Sequence, residues 1–166
     1  EILDADSVIA AIGQKVNPVG FEALECNSRG IIAALALGAV GVQLGTRFLC
    51  STECTAHENY KKAVVAAKDR DAVVTGRSTG HPVRGIKNKL TRGFDKLEKE
   101  GASVEEIEKF GAGALRNAVV DGDAQMGALM AGQSAGMVCD IKPCAQIMAE
   151  LVGGLDAVAK QVNAIL

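Results

Sequence analysis

The segment from residue 30 to residue 45 constrains the fold of this chain most strongly. Residues 30–37 are rich in alanine and leucine and stop at Gly38, a pattern that predicts a helix ended by glycine. Residues 40–44 then alternate around Val40, Val42 and Leu44 and end at Gly45, which predicts a short buried strand. Because a parallel strand needs a crossover helix before it, this order predicts an α/β layer or barrel.

Length and charge narrow the class of protein. The 166 residues fit one compact unit, since domains most often have about 100 to 150 residues. With 48% hydrophobic residues and a net charge of -2, the chain has a globular composition and lacks the basic field that nucleic acid or an anionic membrane would need. The apolar run 31–37 is far shorter than the roughly 20 residues that cross a bilayer, and no signal peptide opens the chain. We therefore expect a cytoplasmic protein without nucleic acid or membrane partners.

The five cysteines argue against a cross-linked or metal-bound protein. They form an odd number without paired C-x-x-C spacing, so we expect neither a disulfide framework nor a metal site. Cys50 and Cys54 stand four residues apart, and no histidine pattern completes a metal shell. Buried or unreactive thiols are the favoured interpretation.

Further local signals predict where helices begin. Thr55–Glu58 and Ser103–Glu106 both have the spacing of a capping box. Pro82 and Pro143 each stand where a first helical turn could begin. After Pro143, apolar residues recur at intervals of three and four and predict one buried helix face. That face consists of Ile147, Met148, Leu151, Val152, Leu155, Val158 and Val162.

The end of the predicted strand is the best candidate for a binding site. Gln43, Leu44, Gly45 and Thr46 would present successive backbone N–H groups and one hydroxyl at the carboxyl end of a strand, where ligands collect in α/β folds. Such groups can hold a phosphate, because glycine lets the backbone approach closely and N–H dipoles favour negative charge. A tight turn that the threonine only caps is an equally good interpretation of the spacing.

From about Arg29 to Leu166 the chain resembles the C-terminal half of the FMN-dependent enoyl-acyl-carrier-protein reductase II and nitronate monooxygenase superfamily. Five blocks carry the resemblance in the family's order. They are Gly38–Phe48 (GAVGVQLGTRF), Ala56–Lys61 (AHENYK), Val83–Arg92 (VRGIKNKLTR), Gly111–Leu115 (GAGAL) and Met130–Gly136 (MAGQSAG).

The resemblance implies a fold and a site. The fold is the C-terminal portion of a flavin-binding TIM (β/α)8 barrel with a mostly helical C-terminal subdomain, the barrel being incomplete within these residues. Gln43, Leu44, Gly45 and Thr46 match the stretch that holds the FMN phosphate in the family, and residues 130–133 match a segment near the flavin. FMN and NAD(P)H are the implied cofactors, and no residue of this chain matches a catalytic residue of the family.

The first part of the chain departs from that family. Residues 26–29 read Cys-Asn-Ser-Arg where the family has a Gly-Gly phosphate loop. The short apolar run at residues 7–12 predicts a buried strand. Through Ala5–Gln14 (ADSVIAAIGQ) and Gly20–Glu25 (GFEALE), residues 1–29 instead resemble a strand-bearing segment of the FAD- and NAD(P)-binding subunit of glutamate synthase-type oxidoreductases, without its Ala-Gly-Asp flavin motif. We therefore predict two parts, 1–29 and 30–166. The alternatives for the origin of such a chain are a natural fusion, a fragment and a chimera.

Several other polar or flexible residues have a structural interpretation that is preferred over a functional one. His57 and His81 are expected on the surface or at helix caps, although imidazole could serve as a general acid or base. Met126 and Met130, at helical spacing, are expected to fill the core. A group of four basic residues is expected to form a solvated helix face; the alternative is that it binds a cofactor phosphate or an acyl carrier protein. The group consists of Arg84, Lys87, Lys89 and Arg92.

The sequence thus predicts part of an FMN-dependent oxidoreductase. By resemblance the reaction is hydride transfer from NAD(P)H to the enoyl thioester of an acyl carrier protein, and the alternative is oxidation of a small nitroalkane by a nitronate monooxygenase. A second alternative is a polypeptide without catalytic activity. Such a polypeptide would associate through an exposed barrel face with a partner or, as a homodimer, with a second copy.

Overall fold

The computed structural model of the chain describes Ile31 and residues 41–164. The predicted strand at residues 7–12 and the resemblance of residues 1–29 lie outside the described residues. Ile31 is helical, as predicted for the segment after Gly30, but residues 32–37 are not described. None of the described helices is long and apolar enough to span a bilayer.

The chain divides into two compact units. One unit comprises residues 45–141, and the other combines residues 1–44 with residues 142–166. The unit 45–141 contains, in chain order, α1 (Thr46–Leu49), α2 (Glu58–Val65), β1 (Ala72–Thr75), β2 (Val83–Ile86), α3 (Lys89–Glu100), α4 (Val104–Gly111), α5 (Ala114–Val119) and a 3₁₀ helix (Gln133–Met137). The described part of the other unit contains α6 (Cys144–Gly153) and α7 (Leu155–Asn163).

The strand predicted up to Gly45 is wrong for the described residues of that stretch. Residues 41–44 have no regular secondary structure, Gly45 is the N-cap of α1, and Thr46 is its first residue. The Leu49 N–H donates to the Gly45 carbonyl at 3.0 Å, which closes the helical turn. Alternation alone could not settle this, because a strand forms only where a neighbouring strand is available to pair.

The described sheet is an antiparallel pair of β1 and β2. Ala72 pairs with Ile86 at one end and Thr75 with Val83 at the other. The helical turn predicted at Pro82 is wrong, because Pro82 directly precedes β2, and proline is tolerated next to the first residue of a strand.

A third segment pairs with β2 at Gly85. This residue forms an isolated antiparallel bridge with Met130. A Cβ atom at Gly85 would lie 2.8 Å from the Leu129 carbonyl oxygen, so the close approach requires glycine. The bridge places Met130 and Ala131 beside β2.

The core of the unit 45–141 lies between α2, β2 and the segments that follow α5. Tyr60 and Val64 of α2 are buried in it together with Ile86 of β2. The remaining buried members are Cys50, Ala67, Ala118, Leu129, Ala131, Ala135 and Val138. Most of these residues are far apart in the chain, so the core is assembled by tertiary contacts.

The capping signals had different outcomes. Ser103 accepts from the Glu106 N–H while the Glu106 side chain accepts from the Ser103 N–H, so the capping box of α4 is confirmed. The predicted helix after Thr55 is also confirmed, but the capping box is wrong, because the N-cap of α2 is His57. The unpredicted N-cap of α3 is Asn88, which forms a reciprocal pair with Thr91.

The C-terminal helices follow the proline signal. Pro143 is the N-cap of α6, which confirms the predicted helix start. The continuous apolar face is only partly confirmed. Its members Ile147, Leu151 and Val158 are buried, whereas Met148 and Val152 are exposed, and a break at Gly154 separates α6 from α7.

Candidate functional site

A hydrogen bond between Thr46 and Gly132 joins two of the blocks that the sequence singled out. The Gly132 N–H donates to Thr46 Oγ1 at 2.9 Å, across 86 positions of the chain. Thr46 belongs to the predicted phosphate-binding stretch, and Gly132 to the Met130–Gln133 segment. The structure therefore brings together the end of the first block and the middle of the last one.

The groups around this bond can hold an anion. The first turn of α1 leaves its leading N–H groups without an intrahelical acceptor, and the Thr46 hydroxyl keeps its own proton to donate. A Cβ atom at Gly45 would meet nothing within 4 Å, and one at Gly132 would come within 3.5 Å of Thr46 Oγ1. Glycine at both positions thus leaves open space next to N–H and O–H donors, and this donor set fits the phosphate of FMN.

Gln43 and Leu44 complete the predicted stretch. Gln43 is exposed and Leu44 is half-buried, and neither belongs to a regular element. They fall in the other compact unit, so their part in binding a phosphate stays a prediction.

Arg47 stabilises the backbone beside Thr46. Its guanidinium donates to Asp140 Oδ1 at 2.6 Å and to the Asp140 carbonyl at 2.8 Å. The Arg47 side chain is 12% exposed and the Asp140 side chain 34%, so this ion pair is partly shielded from solvent. Arg47 is therefore engaged with Asp140 and fixes α1 against the segment after the 3₁₀ helix. The sequence showed Arg47 within a motif but gave no signal for its partner.

Tyr60 fixes the other half of the site. Its hydroxyl donates to the Met130 carbonyl at 2.6 Å, and the side chain is 2% exposed. Burial raises the pKa of Tyr60 to about 12, so the phenol stays protonated and keeps donating. The Ala131 N–H donates to the Arg84 carbonyl at 3.2 Å, which ties the same segment to β2. Sequence reasoning missed Tyr60, whose only signal was its place in the second block.

A buried lysine organises the loop between α1 and α2. The Lys61 ammonium donates to the Ser51 carbonyl at 2.7 Å and to the Cys54 carbonyl at 2.6 Å. The Cys50 thiol contacts the Lys61 carbonyl at 3.9 Å, and burial is the main cause that raises the pKa of Cys50. The prediction of a buried thiol is confirmed for Cys50.

The two histidines take the expected places. His57 Nδ1 accepts from the Asn59 N–H at 3.1 Å, which confirms a capping role. His81 is exposed, which confirms its predicted surface position, and its backbone N–H donates to Thr79 Oγ1 at 3.2 Å.

The prediction that Met126 and Met130 fill the core is wrong. Met126 is 40% and Met130 39% exposed. The helical spacing does not apply, because α5 ends at Val119 and both residues lie in the irregular segment that follows. Met130 instead presents an apolar side chain to solvent near Gly132.

The four basic residues do not share one helix face. Lys89 and Arg92 are exposed on α3, which agrees with a solvated helix face. That prediction is wrong for Arg84, which lies in β2, and for Lys87, which precedes the N-cap Asn88. The α3 helix begins after Asn88 because its side chain satisfies the first free N–H groups.

Comparison with known proteins shows the family of this chain. The family model described as nitronate monooxygenase matches residues 26–154, which is most of the chain. This chain belongs to the nitronate monooxygenase family. A "Probable nitronate monooxygenase" of Staphylococcus saprophyticus is 34% identical over 84% of this chain and 37% of its own length. A protein of the same name from Staphylococcus aureus is 29% identical over 80% of this chain and 37% of its own length.

Solved structures resemble the chain as well. FabK from Thermotoga maritima superposes with a TM-score of 0.79 at 39% identity, over 84% of this chain and 44% of FabK. A nitroalkane oxidase from Streptomyces ansochromogenes gives 0.63 at 28% identity, over 80% of this chain and 37% of that protein. The chain thus spans less than half the length of these relatives.

The family defines the fold class and the cofactor class. Its members are FMN-dependent oxidoreductases with a TIM-barrel fold, and the mixed helices and strands of this chain correspond to the C-terminal portion of that fold. The resemblance inferred from the five blocks is therefore confirmed.

Proposed function

We propose that this chain supplies the phosphate-binding portion of an FMN- and NAD(P)H-dependent enoyl-acyl-carrier-protein reductase. The observation that carries the proposal is the hydrogen bond between Thr46 Oγ1 and the Gly132 N–H. The bond joins the Thr46 hydroxyl to the Gly132 backbone, and by resemblance the two blocks that contain these residues lie around the flavin in the family. Membership of the family supports the cofactor, and the donor set fits its anionic end.

Each residue of the site has a positioning task. Thr46 donates its hydroxyl proton to the phosphate while it accepts from Gly132, so one side chain orders both segments. Tyr60 and β2 keep residues 130–132 in place, and the Arg47–Asp140 pair holds the start of α1. FMN, when bound, supplies the hydride chemistry, and the protein supplies its orientation.

The similarity to solved structures favours enoyl reduction. The likeness to FabK is greater in both identity and superposition than the likeness to the nitroalkane oxidase. By resemblance, the block Val83–Arg92 is more similar to the enoyl reductase branch than to the nitronate monooxygenase branch. In this proposal the substrate is an enoyl thioester carried by acyl carrier protein.

A nitronate monooxygenase is the second candidate. The family model and the curated relatives both carry that description, and the relative from Staphylococcus saprophyticus reaches 34% identity. Both candidates use the same phosphate-binding groups, so the site alone serves either reaction. The substrate of the alternative is a small nitroalkane.

Flavin titration tests the binding site. The purified chain should quench FMN fluorescence on binding, and Thr46→Val should weaken the affinity about tenfold or more, because a hydrogen bond to a charged group is lost. Thr52→Val is the matched control, since Thr52 is an exposed threonine bonded to Glu53. An affinity unchanged by Thr46→Val would contradict the proposed role of the hydroxyl.

Substrate assays choose between the reactions. With bound FMN, oxidation of NADH or NADPH by a crotonyl thioester supports the reductase, whereas oxygen consumption with a nitroalkane supports the monooxygenase. A chain that binds no FMN would contradict both. In that outcome, a dimer seen by sedimentation would support a polypeptide that acts by association.

A further inference from the structure

A second candidate site lies in the unit 45–141, away from Thr46 and Gly132. It is a cavity of about 450 Å³, within the usual size range for small-molecule sites. The end of α2, the residues after β2, the start of α3 and the segment 124–129 surround it. Neither the phosphate-binding residues nor Met130 line this cavity.

One part of the cavity lining is apolar. It consists of small or core side chains, so it offers carbon surface without filling the space. Ile86 and Leu129 belong to the core, and only 5% and 3% of their surface is exposed. The alanines that complete this wall are Ala63, Ala66, Ala67 and Ala124. A planar ring can lie against such a wall and displace water from it.

The rim of the cavity is positively charged. Lys87, Lys89 and Arg92 line the cavity with one carboxylate, Asp71, which accepts from the Lys68 N–H at 2.8 Å. Within residues 41–164, none of the three cations has a carboxylate partner within salt-bridge distance. The excess of positive charge is local, since the whole chain carries a net charge of -2. Such a rim attracts an anion.

The cations stand on an ordered backbone. The buried Asn88 carboxamide donates to the Ala124 and Gly127 carbonyls at 3.1 and 2.8 Å and accepts from the Thr91 N–H. The Lys87 N–H donates to the Asp71 carbonyl at 2.7 Å. These bonds fix the start of α3 and the segment 124–127 against each other. The backbone that carries the rim is therefore ordered before a ligand arrives, which lowers the entropic cost of binding.

We propose that this cavity binds a nucleoside phosphate. The base lies against the alanine wall, where the Gln125 carboxamide can both donate to its edge and accept from it. The phosphate lies at the rim, where the Arg92 guanidinium can bind two of its oxygens and the lysines add charge. NADPH and coenzyme A both carry such a group. The inference does not depend on flavin binding at Thr46.

Calorimetry on the full chain without flavin tests this site. AMP is the first probe, and the double variant Lys89→Gln with Arg92→Gln should weaken its affinity about tenfold or more, because two charge-assisted contacts are lost. The matched control is Lys96→Gln with Lys99→Gln. It removes the same charge from the same helix at residues paired with Glu100 and Asp95. The control should bind AMP like the original chain.

Selective loss of AMP binding in the first variant supports the site, and tighter binding of NADPH or of coenzyme A then identifies the source of the nucleotide. No AMP binding, or equal loss in both variants, overturns the proposal. Inorganic phosphate that binds as tightly as AMP overturns the role of the apolar wall. A flavin titration that fails while AMP binds contradicts only the function proposed above.

Discussion

Helices α2 and α3 lie in the same compact unit but are stabilised in different ways. Helix α2 has 8 residues and buries Tyr60, Lys61 and Val64. Helix α3 has 12 residues and buries only Leu90. The shorter helix depends on partners far away in the chain, since Tyr60 bonds to Met130 and packs in the core. The longer helix depends more on its own sequence, through the Asn88–Thr91 cap and a Gly101 C-cap with a φ of 73°.

Helix α2 belongs to the part of the unit that positions the site, and helices α3 and α4 belong to the part that surrounds it. The α2 contacts fix residues 130–132, which carry the Gly132 N–H. The α3–α4 pair is held by caps and by an edge-to-face contact of Phe94 with Phe110 at 5.3 Å. Damage to α2 should therefore reach the flavin site, whereas damage to α3 and α4 should remain local.

Truncation of Tyr60 should have the largest effect. Tyr60→Ala removes a buried aromatic ring and should lower the free energy of unfolding by about 3 to 5 kcal/mol. Tyr60→Phe removes only the bond to the part-buried Met130 carbonyl and should cost about 0.5 to 1.5 kcal/mol, the net contribution of a typical hydrogen bond. Urea unfolding measures both changes. Weaker FMN binding by the folded Tyr60→Phe variant would link α2 to the site, and unchanged binding would break that link.

Removal of the α4 cap should have a smaller and local effect. Ser103→Ala deletes the acceptor for the Glu106 N–H and should destabilise the unit by about 1 kcal/mol. Ser103→Asn keeps a side-chain acceptor and serves as the control, with little change in stability expected. Thermal unfolding checks both variants. FMN affinity should stay the same, and a loss of affinity in Ser103→Ala would show that α4 does reach the site.

The pH dependence of α3 should be the smallest effect. Glu98 accepts from the Ser78 N–H at 3.0 Å and from Ser78 Oγ at 2.8 Å. The bond to the Ser78 backbone lowers the pKa of Glu98 from its usual value of 4.5. Because the folded value is the lower one, the stabilisation is complete above pH 4.5 and is lost as the pH falls through the lowered pKa.

The variant Glu98→Gln tests this dependence. It should reduce the loss of stability between about pH 6 and about pH 3, as measured by urea unfolding at each pH. Glu108→Gln, at an exposed position of α4, is the control and should leave the loss unchanged. An identical pH profile in Glu98→Gln would show that the contact with Ser78 adds nothing to stability.

The sequence signals that succeeded have a physical cause within one turn of the chain. The capping box of Ser103 needs only a residue three positions away, and the helix start at Pro143 needs only a fixed φ. The signals at Pro82 and Met126 failed because distant segments determine their structure. The residues after Pro82 pair with β1, and the segment around Met126 follows the end of α5.

The candidate site was predictable only in part. Thr46 was identified from a motif, and Met130–Gln133 from resemblance to a family. The bond that joins Thr46 to Gly132, and the support from Tyr60 and Asp140, could not be inferred, because no local pattern encodes a contact across so many positions. The cavity beside Lys89 was equally hidden, since its lining comes from residues 63–71, 86–92 and 124–129, which are far apart in the chain.

The sequence by itself determined the family, the FMN-dependent class of the relatives, and those helix boundaries that short-range hydrogen bonds define. Tertiary structure alone decided that residues 41–44 form no strand, that Met130 is exposed, and that Thr46 meets Gly132. The physical reason is the range of the interactions. Caps and glycine turns are satisfied by neighbours in the chain, whereas strand pairing, burial and the closure of a binding site depend on which distant segments pack together.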